Sequence, residues 1–165
     1  MKLSALSNAV EKTANVVPMS AKPSLEKKRL FQATLMKELK EMLEDCNKAE
    51  IEFQLSDLTK TEGCAYNDRC DVFVETSEFC FMVEIDTTRA DQVAKKMLSR
   101  YYYSRKISKP VIYLCLLYPG TSKMNPNECV KYMTMGKEIF QSLDNRNQFM
   151  GGFINGKKVD WIINE

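Results

Sequence analysis

Acidic side chains stand at the ends of two neighbouring apolar runs in the middle of this chain. Asp71 opens the run 71–75, and Glu84 and Asp86 close the run 79–86, with a short polar turn between the runs. Side chains alternate between the two faces of a strand, so Glu84 and Asp86 point the same way, and a hairpin brings Asp71 across from them. Converging carboxylates repel one another unless a cation lies between them. The pattern indicates either a metal site or an incidental meeting of strand ends.

The overall composition narrows the chemistry that these acids could perform. The 165 residues carry a net charge of +2 and include no histidine. The lack of histidine excludes histidine metal ligands, serine–histidine triads and a histidine general base. Because the net charge is small, any affinity for nucleic acid must come from a local basic patch. The remaining chemistry belongs to carboxylates, lysine, tyrosine, cysteine or a metal held by oxygen atoms.

The cysteines and the apolar runs indicate the cellular setting. None of the six cysteines has the CxxC spacing of a zinc site, and reduced thiols in the cytosol are the simplest interpretation. The first residues lack the apolar centre of a secretory signal, and no run reaches the roughly 20 apolar residues that span a bilayer. We therefore expect a cytoplasmic protein without a membrane partner.

The hydrophobic periodicity predicts an α/β protein whose mixed sheet carries helices on both faces. We expect a flexible leader over residues 1–23, with a short helix at 3–10, and then a single domain over 24–165. Within that domain the pattern predicts, in order, a helix at 25–43, strands at 50–55, 71–75 and 79–86, a helix at 90–103, a buried strand at 111–118, a helix at 127–143, and a hairpin that turns at Asn155-Gly156.

The order of these elements and acids resembles the PD-(D/E)XK nuclease superfamily, which includes the restriction endonucleases. The resemblance covers about residues 24–118 and implies a restriction-endonuclease-like α-β-β-β-α-β core, here followed by a helix and a β-hairpin. Asp71 matches the Asp of the family motif, and Glu84 matches its second acid. This chain departs from the motif at two positions, since Cys70 replaces the proline and Asp86 replaces the lysine.

The resemblance implies a metal-dependent nuclease that hydrolyses phosphodiester bonds, with DNA favoured over RNA. Mg²⁺ or Mn²⁺ would be the cofactor, because such ions prefer hard oxygen ligands. The implied metal ligands are Asp71, Glu84 and Asp86, together with Glu26 from the first helix, for which Glu38 is a weaker candidate.

Since Asp86 stands where the family has a lysine, another cation has to face the phosphate. The helix at 90–103 places Gln92, Lys96 and Arg100 on one face, so we expect Lys96 to supply that charge. The expected catalytic residues are then Asp71, Glu84, Asp86 and Lys96. Two alternatives stay open: a nuclease fold without catalysis that binds nucleic acid or a protein partner, and an unrelated α+β enzyme or assembly protein.

The segment 95–109 carries basic and aromatic residues and no acidic one. Basic side chains bind phosphates, and aromatic rings stack on bases, although an ordinary solvated helix face has a similar composition. The expected nucleic-acid-binding residues are Gln92, Lys95, Arg100, Tyr103, Arg105, Lys106 and Lys109. The sequence leaves open whether the protein is a monomer or a homodimer.

Overall fold

A computed structural model of the protein describes residues 3–20, 22–58, 68–119 and 125–164. The helices are α1 (Leu3–Val16), α2 (Leu25–Met42), α3 (Ala90–Ser104) and α4 (Pro126–Leu143), and a short 3-10 helix covers Leu55–Leu58. The strands are β1 (Lys48–Gln54), β2 (Arg69–Glu75), β3 (Cys80–Thr87), β4 (Val111–Tyr118), β5 (Gln148–Asn155) and β6 (Lys158–Ile163). Among the described residues, no helix has both the length and the apolar character needed to cross a membrane.

The six strands form one mixed sheet in the order β1-β2-β3-β4-β5-β6. The central strands β3, β4 and β5 are parallel, and the outer pairs β1–β2, β2–β3 and β5–β6 are antiparallel. Helix α3 connects β3 to its parallel neighbour β4, as a crossover connection requires. The carboxyl ends of β3 and β4 therefore lie at the same edge of the sheet, beside the start of β2.

Helices cover both faces of the sheet, which confirms the predicted mixed α/β architecture. Helices α1 and α2 pack on the face that carries Val83 and Leu114, whereas α3 and α4 pack on the face that carries Met82 and Tyr113. All eight residues of β4 are buried, as expected for a central strand that is covered on both sides.

Local sequence signals explain where several elements begin and turn. Ser24 caps α2, because its hydroxyl oxygen accepts the N–H of Lys27 at 3.1 Å. Asn125 caps α4 in the same way by accepting the N–H of Glu128, and Pro126 follows at the first helical position. The hairpin between β5 and β6 turns at Gly156, whose φ of 63° suits a residue without a Cβ atom.

The N-terminal region corrects the expectation of a flexible leader over residues 1–23. Helix α1 extends to Val16, and its buried side chains, including Leu6 and Val10, belong to the same core as α2 and the sheet. After α1, Met19 exchanges two backbone hydrogen bonds with Gly156 in the β5–β6 turn, with N–O distances of 3.1 and 2.9 Å. The folded domain therefore includes residues that the polar composition assigned to a leader.

Candidate functional site at the strand ends

The three predicted acids lie where β2 begins and β3 ends. Glu84 and Asp86 both contact the ammonium group of Lys96 on α3, so these two acids share a face, as strand parity predicts. Asp71 lies just beyond Val72, which is paired with Val83 across the β2–β3 ladder, but its partners Lys28 and Gln32 belong to α2 on the opposite face of the sheet. The structure therefore corrects the expectation that the hairpin makes Asp71 converge with Glu84 and Asp86. We call these three acids, with Lys28, Lys96 and Arg100, the strand-end cluster.

Glu84 is held from the α3 side by two cations. Arg100 is 1% exposed, and its Nε and Nη2 atoms lie 2.6 and 2.5 Å from Glu84 Oε1. Lys96 Nζ lies 3.2 Å from the other oxygen, Oε2, and 2.7 Å from Asp86 Oδ2. The ammonium group of Lys96 thus stands between two carboxylates at the end of β3, where we expected a cation from this helix.

The site perturbs the pKa values of its own groups. Burial raises the pKa of Glu84 to about 7, although the charge of Arg100 opposes this shift and the charge of Asp71 adds to it. Burial alone would lower the pKa of Lys96, but the charges of Glu84, Asp71 and Asp86 outweigh burial and raise it. Lys96 therefore stays protonated, and Glu84 is the group that titrates near neutral pH.

Asp71 is held from the α2 side. Its Oδ1 atom accepts an N–H of Gln32 at 2.8 Å and lies 3.2 Å from Lys28 Nζ. Its Oδ2 atom accepts the backbone N–H of Ile85 at 2.7 Å, which ties the start of β2 to the end of β3. Asp71 is 5% exposed, and its carboxylate is held by neighbours from two elements, α2 and β3.

The positions of these acids bear on whether they could hold a metal ion. Within residues 3–20, 22–58, 68–119 and 125–164, no three His, Cys, Asp or Glu side chains are placed as ligands of one ion. The donor chemistry nevertheless suits a hard cation, because carboxylate oxygen atoms are the ligands that such ions prefer. Oε2 of Glu84 is buried and is paired with the ammonium of Lys96 at 3.2 Å. Glu26 is exposed and lies two residues from Lys28, on a different face of α2. Metal ligation by these acids therefore stays a prediction.

The predicted nucleic-acid-binding residues separate into three groups. Gln92 and Lys95 line a cleft of about 210 Å³ beside the cluster, together with Arg69, Lys96 and Ser99. The cleft also contains Arg100 and one acidic residue, Asp68, so its basic side chains come from α3 and from Arg69 at the start of β2. A phosphate-bearing ligand would meet several positive charges there.

Two further predicted contacts, Arg100 and Tyr103, are buried. Arg100 reaches inward to Glu84, Asp68 and the carbonyl oxygen of Arg69, at 2.5 Å from Asp68 and 2.6 Å from the carbonyl. Tyr103 belongs to the core between α3 and the sheet. The structure therefore corrects the expectation that these side chains form a surface for nucleic acid.

The remaining three predicted contacts lie at the other end of the sheet. Lys109 Nζ bonds Glu75 and the carbonyl oxygen of Thr76, both at 2.7 Å, where β2 ends. Arg105 and Lys106 follow the last turn of α3, about 13 Å along the helix axis from Lys96. These three cations thus lie away from the acidic residues, beside which they were expected to bind nucleic acid.

Three side chains of the site were not anticipated from the sequence. Lys28 and Gln32 lie one turn apart on α2, and Gln32 occupies a position in the apolar stripe with Leu35 and Leu39. A polar residue in such a stripe is the signal that could have identified it. Glu52 on β1 accepts an N–H of Gln32 at 2.8 Å and has a φ of 52°, a backbone conformation for which the sequence offers no signal.

Comparison with known proteins adds no identification. No protein-family model, curated protein or solved structure matches this chain.

Proposed function

We propose that the protein is a metal-dependent nuclease with a restriction-endonuclease-like fold, which hydrolyses phosphodiester bonds in DNA in preference to RNA. The observation that supports this proposal most directly is the position of Lys96, 2.7 Å from Asp86 and 3.2 Å from Glu84. The PD-(D/E)XK motif, which the sequence resembles, has a lysine where this chain has Asp86. Helix α3 supplies a lysine ammonium at the same strand end.

Each residue of the cluster has a role in this proposal. Asp71, Glu84 and Asp86 offer the oxygen atoms that hold Mg²⁺ or Mn²⁺. When bound, the metal would acidify a water molecule and stabilise the charge that develops on the phosphate. Lys96 contacts a phosphate oxygen as a point charge. Arg100 holds Oε1 of Glu84, and a metal ion at Oε2 would compete with Lys96 for that atom.

The surroundings of the cluster suit an anionic polymer. Arg69, Lys95 and Lys96 line the cleft beside the acids, and Lys28 approaches from α2 on the other side. Positive side chains on both sides of the strand end attract a phosphate backbone and oppose its repulsion by the acids.

A cleavage assay with matched variants tests this function. Purified protein would be incubated with Mg²⁺ or Mn²⁺ and plasmid, branched, single-stranded and RNA substrates. We expect metal-dependent cleavage that Asp71→Asn abolishes and that Lys96→Ala lowers by about 10²-fold or more, as for the loss of one preorganised charge contact. Lys131→Ala, an exposed lysine of α4, is the control and should cut at the parent rate.

A second candidate is a nuclease-fold module that binds nucleic acid or a protein partner without cutting. The ion pairs of the cluster favour this second candidate. Arg100 already neutralises Glu84, and Lys28 already neutralises Asp71. Nucleic-acid binding without cleavage of any substrate, with either metal, would overturn the nuclease proposal and support this one. If Lys96→Ala cuts at the parent rate, the role of Lys96 in the proposal is wrong.

A further inference from the structure

An apolar groove lies open between α3 and α4, on the side of the helix pair that faces away from the sheet. It has a volume of about 200 Å³ and is lined by aliphatic and aromatic side chains, among them Ala94, Leu98, Tyr101, Tyr132, Met135 and Ile139. Leu98 is 65% exposed and Met135 is 43% exposed, one on each helix. Exposed apolar side chains that are grouped on one surface mark a place where another molecule binds.

The two helices beside the groove run in the same direction, because each connects neighbouring parallel strands on the same face of the sheet. They approach closely at Gly136, where a Cβ atom would overlap the side chain of Met97. The next residues in the chain, Met135 and Leu98, therefore lie at about the same height along the helix pair. A line that crosses both helices at this height can serve as a two-fold axis.

The charges on the rim of α3 have opposite signs on the two sides of Leu98. Asp91 lies seven residues before Leu98 and Arg105 seven residues after it, so the three share one stripe and each charge is about 10 Å from Leu98 along the axis. Asp91 pairs with Arg89 in its own chain, yet its side chain is 63% exposed, and a carboxylate can accept a second guanidinium. When two copies of α3 pack antiparallel about Leu98, Asp91 of each copy faces Arg105 of the other.

We infer that the α3–α4 face is the interface of a homodimer, in which the helices of the two copies are antiparallel and the two-fold axis crosses Leu98 and Met135. A two-fold contact uses the same surface on both copies, so each ion pair forms twice. On α4 the antiparallel contact places Glu128 opposite the neutral hydroxyl of the partner's Ser142, at the same spacing about Met135. The parallel alternative, with α3 on the partner's α4, would place Asp91 beside Glu128, and like charges across an interface repel.

The size of the α3–α4 face sets the expected strength of the contact. Helix α3 has 15 residues, which makes it about 22 Å long. Two helices packed about 10 Å apart form a face about 20 Å wide. The dimer would therefore bury roughly 900 Å² in total, an area typical of transient contacts. We expect a reversible dimer that forms at micromolar to millimolar concentrations of the chain.

Sedimentation equilibrium of the full chain, from micromolar to millimolar concentration, tests this interface. We expect Leu98→Lys to weaken dimerisation by about tenfold or more, because it places a charge at the centre of the apolar contact. Leu30→Lys is the matched control, because Leu30 is a similarly exposed leucine on α2. This control should dimerise like the parent chain.

A charge exchange tests the antiparallel geometry. Asp91→Arg places like charges opposite each other at two symmetric positions, and we expect it to weaken the dimer by about tenfold or more. Arg105→Asp should have the same effect for the same reason. The double variant that carries both changes restores the opposite charges and should recover the dimer, a gain that misfolding cannot produce.

The outcomes decide the inference independently of the proposed function, because no residue of the strand-end cluster and no cleavage measurement enters them. A parent chain that stays monomeric at millimolar concentration would overturn the homodimer and leave the groove to a different partner. A dimer that Leu98→Lys leaves intact uses another surface and would overturn the interface. If the double charge variant does not recover the dimer, the antiparallel contact is wrong, whereas its recovery would support the inference.

Discussion

Among single residues, Arg100 matters most for the stability of the site. Its guanidinium is 1% exposed and is balanced by Glu84 and Asp68. Removing one partner of a buried ion pair leaves the other charge without compensation, which costs about 3–5 kcal/mol. We expect Arg100→Met to lower the free energy of unfolding by about that amount at pH 8, as measured by urea titration. Arg105→Met, at an exposed position just past α3, should change it by less than about 0.5 kcal/mol.

The raised pKa of Glu84 gives a second prediction at the scale of one residue. In the folded state this pKa is about 7, above the ordinary value of 4.5, chiefly because the carboxyl is buried. Between these two pH values the folded state binds more protons than the unfolded state. The contribution of Glu84 to stability is therefore complete below pH 4.5 and is lost as the pH rises through 7. In metal-free buffer, Glu84→Gln should flatten the fall in melting temperature between pH 5 and 8, and an unchanged slope in that variant would contradict this assignment.

The sequence predicts some residues of the site well and others not at all. Strand parity places Glu84 and Asp86 together, and helical spacing brings Lys96 to them. The same spacing assigns Arg100 to a solvent-facing role, because a sequence pattern cannot show that a long side chain turns inward to a buried acid. Glu52 was missed because its side-chain direction depends on a backbone conformation that tertiary contacts impose.

At the scale of elements, α1 is the largest difference between expectation and structure. Its residues are small and polar in composition, yet Leu6 and Val10 are fully buried against α2 and the sheet. Trp161 on β6 also donates its indole N–H to Glu11 Oε1 at 2.9 Å. The periodicity over 3–10 indicated a helix, but a single helix gives no signal of what it will pack against, and that contact decides whether it is stable.

Because α1 packs in the core, shortening one of its buried side chains should lower the stability of the protein, whereas the same change in a mobile leader should not. Leu6→Ala should lower the free energy of unfolding by about 2–5 kcal/mol, because it leaves a cavity in the core. Val16→Ala, at the exposed end of the same helix, should have an effect within about 0.5 kcal/mol. Chemical denaturation of both variants measures the difference, and equal stabilities would mean that α1 does not share the core.

At the scale of the whole molecule, the strand-end cluster and Lys109 lie at opposite ends of the sheet. The strand-end cluster lies where β3 and β4 end, and Lys109 lies where β2 ends and β4 is about to begin, about 13 Å away along β2. The sequence predicted the mixed sheet, with its β3–α3–β4 crossover, because the buried run 111–118 follows a helix. The sequence also assigned Lys109 to the nucleic-acid-binding residues of the site. That assignment relied on nearness in the chain, which does not show at which end of a strand a loop lies.

Under the proposed nuclease function, the separation of the two ends predicts which end of the sheet would bind nucleic acid. Lys95→Gln, in the cleft beside the cluster, should weaken duplex binding several-fold and reduce the slope of log affinity against log salt by about one. Lys109→Gln removes the same charge at the far end and should leave both quantities unchanged. Fluorescence anisotropy with labelled DNA at several salt concentrations in metal-free buffer measures both, and equal effects of the two variants would contradict this location.

The backbone of Glu52 has a consequence for how this chain evolves. A side chain other than glycine in the left-handed region costs about 1–2 kcal/mol, and glycine takes the same conformation without that penalty. In a library selected only for the cellular abundance of folded protein, we expect glycine and asparagine to replace glutamate at this position. Selection for the activity of the site should retain the acid, which accepts an N–H of Gln32 at 2.8 Å. A glutamate kept against its own conformational preference would then record a history of selection for activity and not for stability.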